Sequence, residues 1–254
     1  MTRIELHDIA VGYEHRILLE GVSVAVGGGR LVALLGRNGT GKSTLLRAVA
    51  GLEAPLSGEI SLCGRRLSAT AAHELARIVS FVTTEKVRIA DLTGRDVVGL
   101  GRAPYTDWLG RLGREDRAVV ERSLQLVGMS ALADKPMNRL SDGEAQRMMI
   151  ARALAQNTPV ILLDEPTAFL DMPNRYELCT LLGRLAHDEG KCILFSTHEL
   201  DIALSLCDDV ALIDPPRLYV LPTDEMVRSG HIERLFDSGT VSFDAVSRAV
   251  TVRR

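Results

Sequence analysis

This chain is poor in cysteine and in long apolar runs, and each shortage excludes a class of protein. Its 4 cysteines, Cys63, Cys179, Cys192 and Cys207, form no C-x-x-C pair and have no neighbouring histidine pair of zinc-ligand type. A disulfide framework and a structural zinc site are therefore not expected, and the thiols read as reduced and mostly buried, as in a cytosolic protein. The first residues, MTRIELHDIAVGY, hold no apolar signal core, and runs such as Val160 to Leu163 are too short to cross a bilayer. A membrane role is expected only through a partner. An excess of charge of one sign is also missing: 30 Lys+Arg stand against 33 Asp+Glu, with the basic residues scattered. That argues against nucleic acid as the main partner. The 254 residues suffice for one large domain or two small ones with a real core.

What is present is an ordered succession of strand and helix patterns, without internal repeats or low-complexity segments. In the first sixty residues, alternating or short apolar runs (Ile4, Leu6, Ile9; Val22, Val24, Val26; Leu31 to Leu35; Ile60, Leu62) are broken by glycine-rich turns, which is strand chemistry. A helix is expected after Gly41, turning Leu45, Leu46, Val49 and Ala50 inward and stopping at Gly51. From about Glu85 to Ala155 the pattern becomes helices and loops, clearest at Asp116 to Val127, and reads as a helical insertion. Alternation resumes with a strand at 160–164, a helix over Arg175 to Asp188, a strand at 192–197, a helix from Leu200 to Leu206 and a strand at 209–213. Such alternation predicts an α/β fold with a mainly parallel sheet covered by helices.

Gly36-Arg37-Asn38-Gly39-Thr40-Gly41-Lys42-Ser43, followed by Thr44, fits G-x-x-x-x-G-K-[ST] and lies between the run LVALL and the expected helix. Its glycines allow successive N–H groups to face phosphate oxygens, and the helix N-terminus adds its positive end. Lys42 is expected to reach the β- and γ-phosphates of ATP, and Ser43 to offer a hydroxyl to Mg²⁺. The buried strand VILLD places Asp164 and Glu165 at its C-terminal end, where ligands of open α/β sheets gather. Asp164 would hold the metal through water, and Glu165 would polarise the attacking water as base.

Further strings lie in order around these. Leu140-Ser141-Asp142-Gly143-Glu144 precedes AQRMMIARALA, Ala168-Phe169-Leu170-Asp171 follows the carboxylates, Ser196-Thr197-His198 ends a strand, and Tyr13 lies near the start. Together they resemble the ATP-binding cassette family over nearly the whole chain: signature sequence, D-loop, switch histidine and adenine-stacking aromatic respectively. The resemblance implies a single nucleotide-binding domain, 1–254, with a P-loop NTPase (RecA-like) core at about 1–84 and 156–254. An N-terminal antiparallel β portion and a helical subdomain at about 85–155 complete it. It further implies a head-to-tail homodimer in which Ser141 and Gly143 reach the γ-phosphate in trans, His198 holds it in cis, and Asp171 joins the nucleotide-contacting set.

Gly101-Arg102-Ala103-Pro104-Tyr105, with Trp108 and Gly110-Arg111-Leu112 behind it, reads from residue types alone as a proline-terminated helix and an exposed loop. It is also similar to the corresponding region of importer cassettes serving ferric siderophores, haem and cobalamin. By that likeness the chain is expected beneath two integral membrane permease subunits, peripheral at the cytoplasmic face of the cell membrane, with a solute-binding protein supplying the complex. Two departures qualify this. The glutamine that usually follows the strand Ile78 to Val82 is replaced by Thr84 and then Glu85; Glu85 is the candidate metal contact, with a solvent-facing Glu85 as the alternative. Asp142 stands where the signature usually has glycine, and its side chain is expected to point away. A soluble cassette ATPase that remodels another complex, and a module that uses ATP only to dimerise, remain the rival readings.

Overall fold

The computed structural model describes residues 1–13, 16–85, 91–236 and 240–252. It opens with β1 (Thr2–Tyr13) and β2 (Arg16–Gly27), antiparallel partners joined by the pairing of Tyr13 with Arg16. Ile4 and Leu6 are buried on one face as strand alternation requires, and a register shift between Leu6 and Ile9 lets Ile9 be buried too, opposite the buried Val22. Next come β3 (Arg30–Leu35), α1 (Lys42–Val49), β4 (Ser57–Leu62), β5 (Arg65–Arg66), α2 (Ala72–Leu75) and β6 (Val79–Val82). β4 and β5 extend the first sheet in the order β2-β1-β4-β5.

The next segment supplies α3 (Gly94–Leu100), α4 (Arg114–Leu126) and α5 (Asp142–Ala155), which pack on one another. The expected amphipathic helix is α4, turning Val120 and Leu124 into the core. Ser141 begins α5 as a reciprocal cap: Glu144 N–H donates to the Ser141 hydroxyl at 3.3 Å, and Ser141 N–H donates to the Glu144 carboxylate at 2.8 Å. That backbone bond holds the Glu144 carboxyl below its ordinary value. Gly101-Arg102-Ala103-Pro104-Tyr105 packs locally. The buried Arg102 donates to Asp116 at the start of α4 and to the Ala155 carbonyl at the end of α5, both at 2.9 Å. A Cβ on Gly101 would meet the Arg152 carbonyl at 2.2 Å, so only glycine lets α3 and α5 approach here. Trp108, beyond the turn, is 91% exposed.

The chain then returns to the sheet with β7 (Val160–Leu163), α6 (Met172–Glu189), β8 (Cys192–Thr197), α7 (Leu200–Leu206), β9 (Asp209–Asp214) and β10 (Arg217–Pro222). It closes with α8 (Thr223–Arg228), α9 (His231–Phe236) and the hairpin β11 (Val241–Asp244) and β12 (Ala249–Val252). α6 starts ahead of the expected Arg175, because Asp171 caps it by accepting from Asn174 N–H and Pro173 is tolerated in a first turn.

The second sheet runs β10-β9-β3-β8-β7-β6, with β9, β3, β8, β7 and β6 parallel and β10 antiparallel at the edge. The central strands β3, β7 and β8 are buried nearly end to end and mostly apolar, because both faces are covered. One core lies between this sheet and the helices α5, α6 and α7; the other lies between this sheet, the first sheet and α1. Since β3, β8 and β7 are neighbours, their C-terminal ends bring the loop at Gly36, the Ser196-Thr197-His198 end and the Asp164-Glu165 pair to one place.

Candidate nucleotide site

The loop between β3 and α1 has the backbone its glycines allow. Gly39 and Gly41 lie at φ 76° and 104°, and a Cβ on Gly36 would stand 2.8 Å from the Thr40 hydroxyl. The Thr40 hydroxyl donates to the Arg37 carbonyl at 2.8 Å, closing the loop on itself. Lys42 is buried and folds back, its Nζ donating to the Gly36 and Arg37 carbonyls at 2.9 and 3.3 Å. Burial pushes its ammonium below the usual lysine value, while Glu165 and Asp164 nearby oppose that shift. Anionic oxygens delivered to this loop would meet a cation already stripped of most of its water.

A cavity of about 610 Å³ opens over the loop, lined by Tyr13, Arg16, Leu18, Asn38, Gly39, Gly41, Lys42, Ser43, Thr44, Glu165 and His198. Leu35, Gly36, Arg37, Asn38 and His198 border a second opening that shares Asn38 and His198 with the first. Tyr13 is 61% exposed and its hydroxyl lies 3.4 Å from that of Thr44, leaving its ring free to cover a flat ligand. A Cβ on Gly41 would press on Leu18 at 3.2 Å, so the floor of the cavity also depends on that glycine. Arg16 and Leu18 were not legible as site residues. Arg16 faces Tyr13 across the β1–β2 pair, and only that register brings it to the cavity.

The carboxylates differ in their surroundings. Asp164 is 3% exposed and accepts from the Ser196 hydroxyl at 2.6 Å; Ser196 in turn accepts from Glu165 N–H at 2.8 Å. Glu165 is a non-glycine residue at φ 45°, a conformation that costs about 1–3 kcal/mol. Its carboxylate lies 3.8 Å from His198 Nδ1. The sequence marks Ser196 only as part of the histidine string. Its role as the clamp of Asp164 comes from the adjacency of β7 and β8.

Other expected residues lie apart. Ser141 and Gly143 at the start of α5 are outside the cavity, and Gly143 abuts the Asp171 loop: a Cβ there would stand 3.1 Å from the Phe169 carbonyl. Asp171 serves as the cap of α6. Asp142 is exposed in the first turn of α5. Glu85 also lies outside the cavity, with its side chain 79% exposed and 3.9 Å from Arg47. Thr84 instead donates its hydroxyl to the Asp164 carbonyl at 2.9 Å.

A glycine-rich loop ahead of a helix, a buried lysine and two carboxylates at the ends of adjacent parallel strands define a P-loop nucleoside triphosphatase. Residues 19–168 match the ABC transporter family. An uncharacterized ABC transporter ATP-binding protein of Methanocaldococcus jannaschii is 36% identical over 96% of this chain and 84% of its own length. The achromobactin transport ATP-binding protein CbrD of Dickeya dadantii is 35% identical over 84% of this chain and 79% of its own. The solved dimer of the ATP-binding cassette MJ0796 with ADP and Pi superimposes with a TM-score of 0.78 at 26% identity, covering 87% of this chain and 98% of that one. The chain belongs to the ABC transporter ATP-binding family, and it is an ATPase.

Proposed function

We propose that this chain is the ATP-hydrolysing subunit of an importer for a metal chelate or corrinoid, working as a head-to-tail homodimer beneath two membrane permease subunits. The observation that carries the hydrolytic part is the convergence of Lys42, Glu165 and His198 on one cavity. The importer part is supported by relatives named for achromobactin transport and for iron(3+)-hydroxamate and cobalamin import. Tyr13 stacks on the adenine, and the loop from Gly36 to Thr44 binds the phosphates through its N–H groups and Lys42. Glu165 takes the proton of the attacking water, and His198 holds the γ-phosphate. Ser141 and Gly143, which lie outside their own chain's cavity, complete the partner's site.

The residues present suit Mg²⁺: a hydroxyl at Ser43 inside the cavity and a buried, oriented carboxylate at Asp164. When bound, the ion supplies neutralisation of phosphate charge. Among the described residues no helix is long and apolar enough to cross a membrane. The reading at the cytoplasmic face, held there by permease subunits and supplied by a solute-binding protein on the other side, is supported by the relatives named as import ATP-binding proteins.

The deciding experiment is reconstitution with a polytopic permease of this importer class in liposomes loaded with MgATP, with the cognate solute-binding protein added outside. Uptake of ferric siderophore or cobalamin is expected, and Glu165→Gln should abolish it while trapping an ATP-bound dimer. ATP hydrolysis without uptake of any such cargo would favour the soluble remodelling ATPase.

A further inference from the structure

We infer that Arg175 is a positioning residue for hydrolysis: it ties the Asp171 loop to the strand end that carries His198, so that contact on that loop sets the His198 and Glu165 geometry. This rests on the reading of the chain as a hydrolysing subunit of a head-to-tail dimer.

Arg175 lies in the first turn of α6, and its backbone N–H donates to the Asp171 carbonyl at 3.0 Å. Its Nε donates to the Leu170 carbonyl at 2.7 Å, and its Nη1 pairs with Glu199 Oε1. Glu199 follows His198 directly, and its side chain is 8% exposed. The other carboxylate oxygen, Oε2, is buried without a hydrogen-bond partner among the described residues. Arg175 is therefore the group that compensates this buried charge. The backbone of Glu199 is fixed as well, its N–H donating to the Thr197 hydroxyl at 3.0 Å.

These contacts close a ring. From Glu165 the chain turns twice, Ala168 N–H donating to the Glu165 carbonyl at 3.2 Å and Leu170 N–H to the Thr167 carbonyl at 3.0 Å. Arg175 then carries the connection from Leu170 to Glu199. One peptide bond leads on to His198, whose Nδ1 faces Glu165 Oε1 at 3.8 Å. A shift of the Asp171 loop must move Arg175, and with it the carboxylate that anchors the histidine strand end. The helices do not need this bridge to dock, because Tyr176 donates its hydroxyl to Asp201 at 2.9 Å and joins α6 to α7 independently. A guanidinium suits the task, since its fork serves the carbonyl and the carboxylate together; an ammonium is a single point of charge.

The test compares Arg175→Ala, Arg175→Lys, Glu199→Gln and the double variant Arg175→Ala/Glu199→Gln in steady-state ATPase kinetics and thermal melting. Arg175→Ala should lower kcat by about tenfold to a hundredfold, the loss that small misplacement of catalytic groups produces, with KM for ATP within about twofold. Arg175→Lys should fall between. Arg175→Ala also leaves a buried carboxylate uncompensated, so its melting temperature should drop. The double variant removes that orphan charge and should regain melting temperature without regaining kcat. Recovery of kcat together with melting temperature, or a wild-type kcat in Arg175→Ala, would overturn the inference. Failure of the dimer reading shows separately, as absence of an ATP-bound dimer in Glu165→Gln with Arg175 intact.

Discussion

The Ser196 hydroxyl donates to the Asp164 carboxylate at 2.6 Å, and both side chains are buried. The same oxygen accepts Glu165 N–H at 2.8 Å, so one serine on β8 fixes the Asp164 carboxylate and the backbone of Glu165. Ser196→Ala leaves both groups without a partner. The expected cost is about 1–3 kcal/mol of stability, the usual penalty for an unsatisfied buried polar group. Turnover should fall with little change in ATP affinity, since the phosphate loop is untouched. Denaturant unfolding and steady-state kinetics together check this. Unchanged stability would mean that water replaces the hydroxyl.

Lys42→Ala removes the only buried cation that lines the cavity among the described residues. Burial already disfavours its charged form, and incoming phosphates supply the compensation that the protein withholds. Equilibrium titration should show weakened MgATP binding by about tenfold or more, the scale expected for a charge-assisted contact of 1.5–3 kcal/mol. Wild-type affinity would remove Lys42 from the phosphate site.

The cysteines give a pH test. Burial raises the thiols of Cys179 and Cys192 to about 12, and that of Cys207 upward as well, from an ordinary value of 9.0. In the native protein at pH 8 only the partly exposed Cys63 should react with a thiol reagent, whereas unfolding should release all 4. Because the folded thiols keep their protons longer than unfolded ones, their stabilisation is complete below pH 9.0. It should decline as pH rises toward about 12. Cys179→Ala should therefore lose stability less steeply across that window. An equally steep decline would assign the alkaline loss to other groups.

Much of this was legible because the chain spells its chemistry locally. Gly36 to Ser43 carries loop, charge and helix start in one string, and β7 and β8 are read from continuous apolar runs that the two-sided burial of a parallel sheet demands. α6 begins at Met172, three residues ahead of the expected Arg175, because Asp171 in the D-loop string is also the helix cap. Arg16 and Ser196 were hidden for a different reason. Each reaches the site through the neighbour that sheet order gives it, Tyr13 for one and Asp164 for the other, and spacing along a chain does not report which strands lie side by side. The string at Gly101 to Tyr105 illustrates the converse. Its residue types read as a proline-terminated helix and an exposed loop, but α3 ends at Leu100, Pro104 lies inside a 3-10 turn at Ala103–Tyr105, and Arg102 is a buried tie between α4 and α5.

The last prediction concerns the missing glutamine. On side-chain chemistry a carboxylate surpasses a hydroxyl as a Mg²⁺ ligand, which made Glu85 the candidate contact. Geometry points the other way. Glu85 is 79% exposed and lies 3.9 Å from Arg47, which also pairs with Glu53 at 3.4 Å. Exposed pairs of this kind contribute only about 0–1 kcal/mol, so Arg47 is a weak tether and does not by itself keep Glu85 out. Charge is the stronger obstacle: beside Asp164, Glu165 and a triphosphate, a further carboxylate is repelled. Thr84, by contrast, already holds the Asp164 carbonyl and so aligns the end of β6 with that of β7. Thr84→Val should therefore lower turnover several-fold, by loss of about 1 kcal/mol or more of alignment. Glu85→Ala and Glu85→Gln should stay within about twofold of the parent, as surface changes do. Both are to be measured with the permease present. A fall of more than about tenfold in Glu85→Ala with ATP affinity preserved would instead place its carboxylate on the metal during turnover.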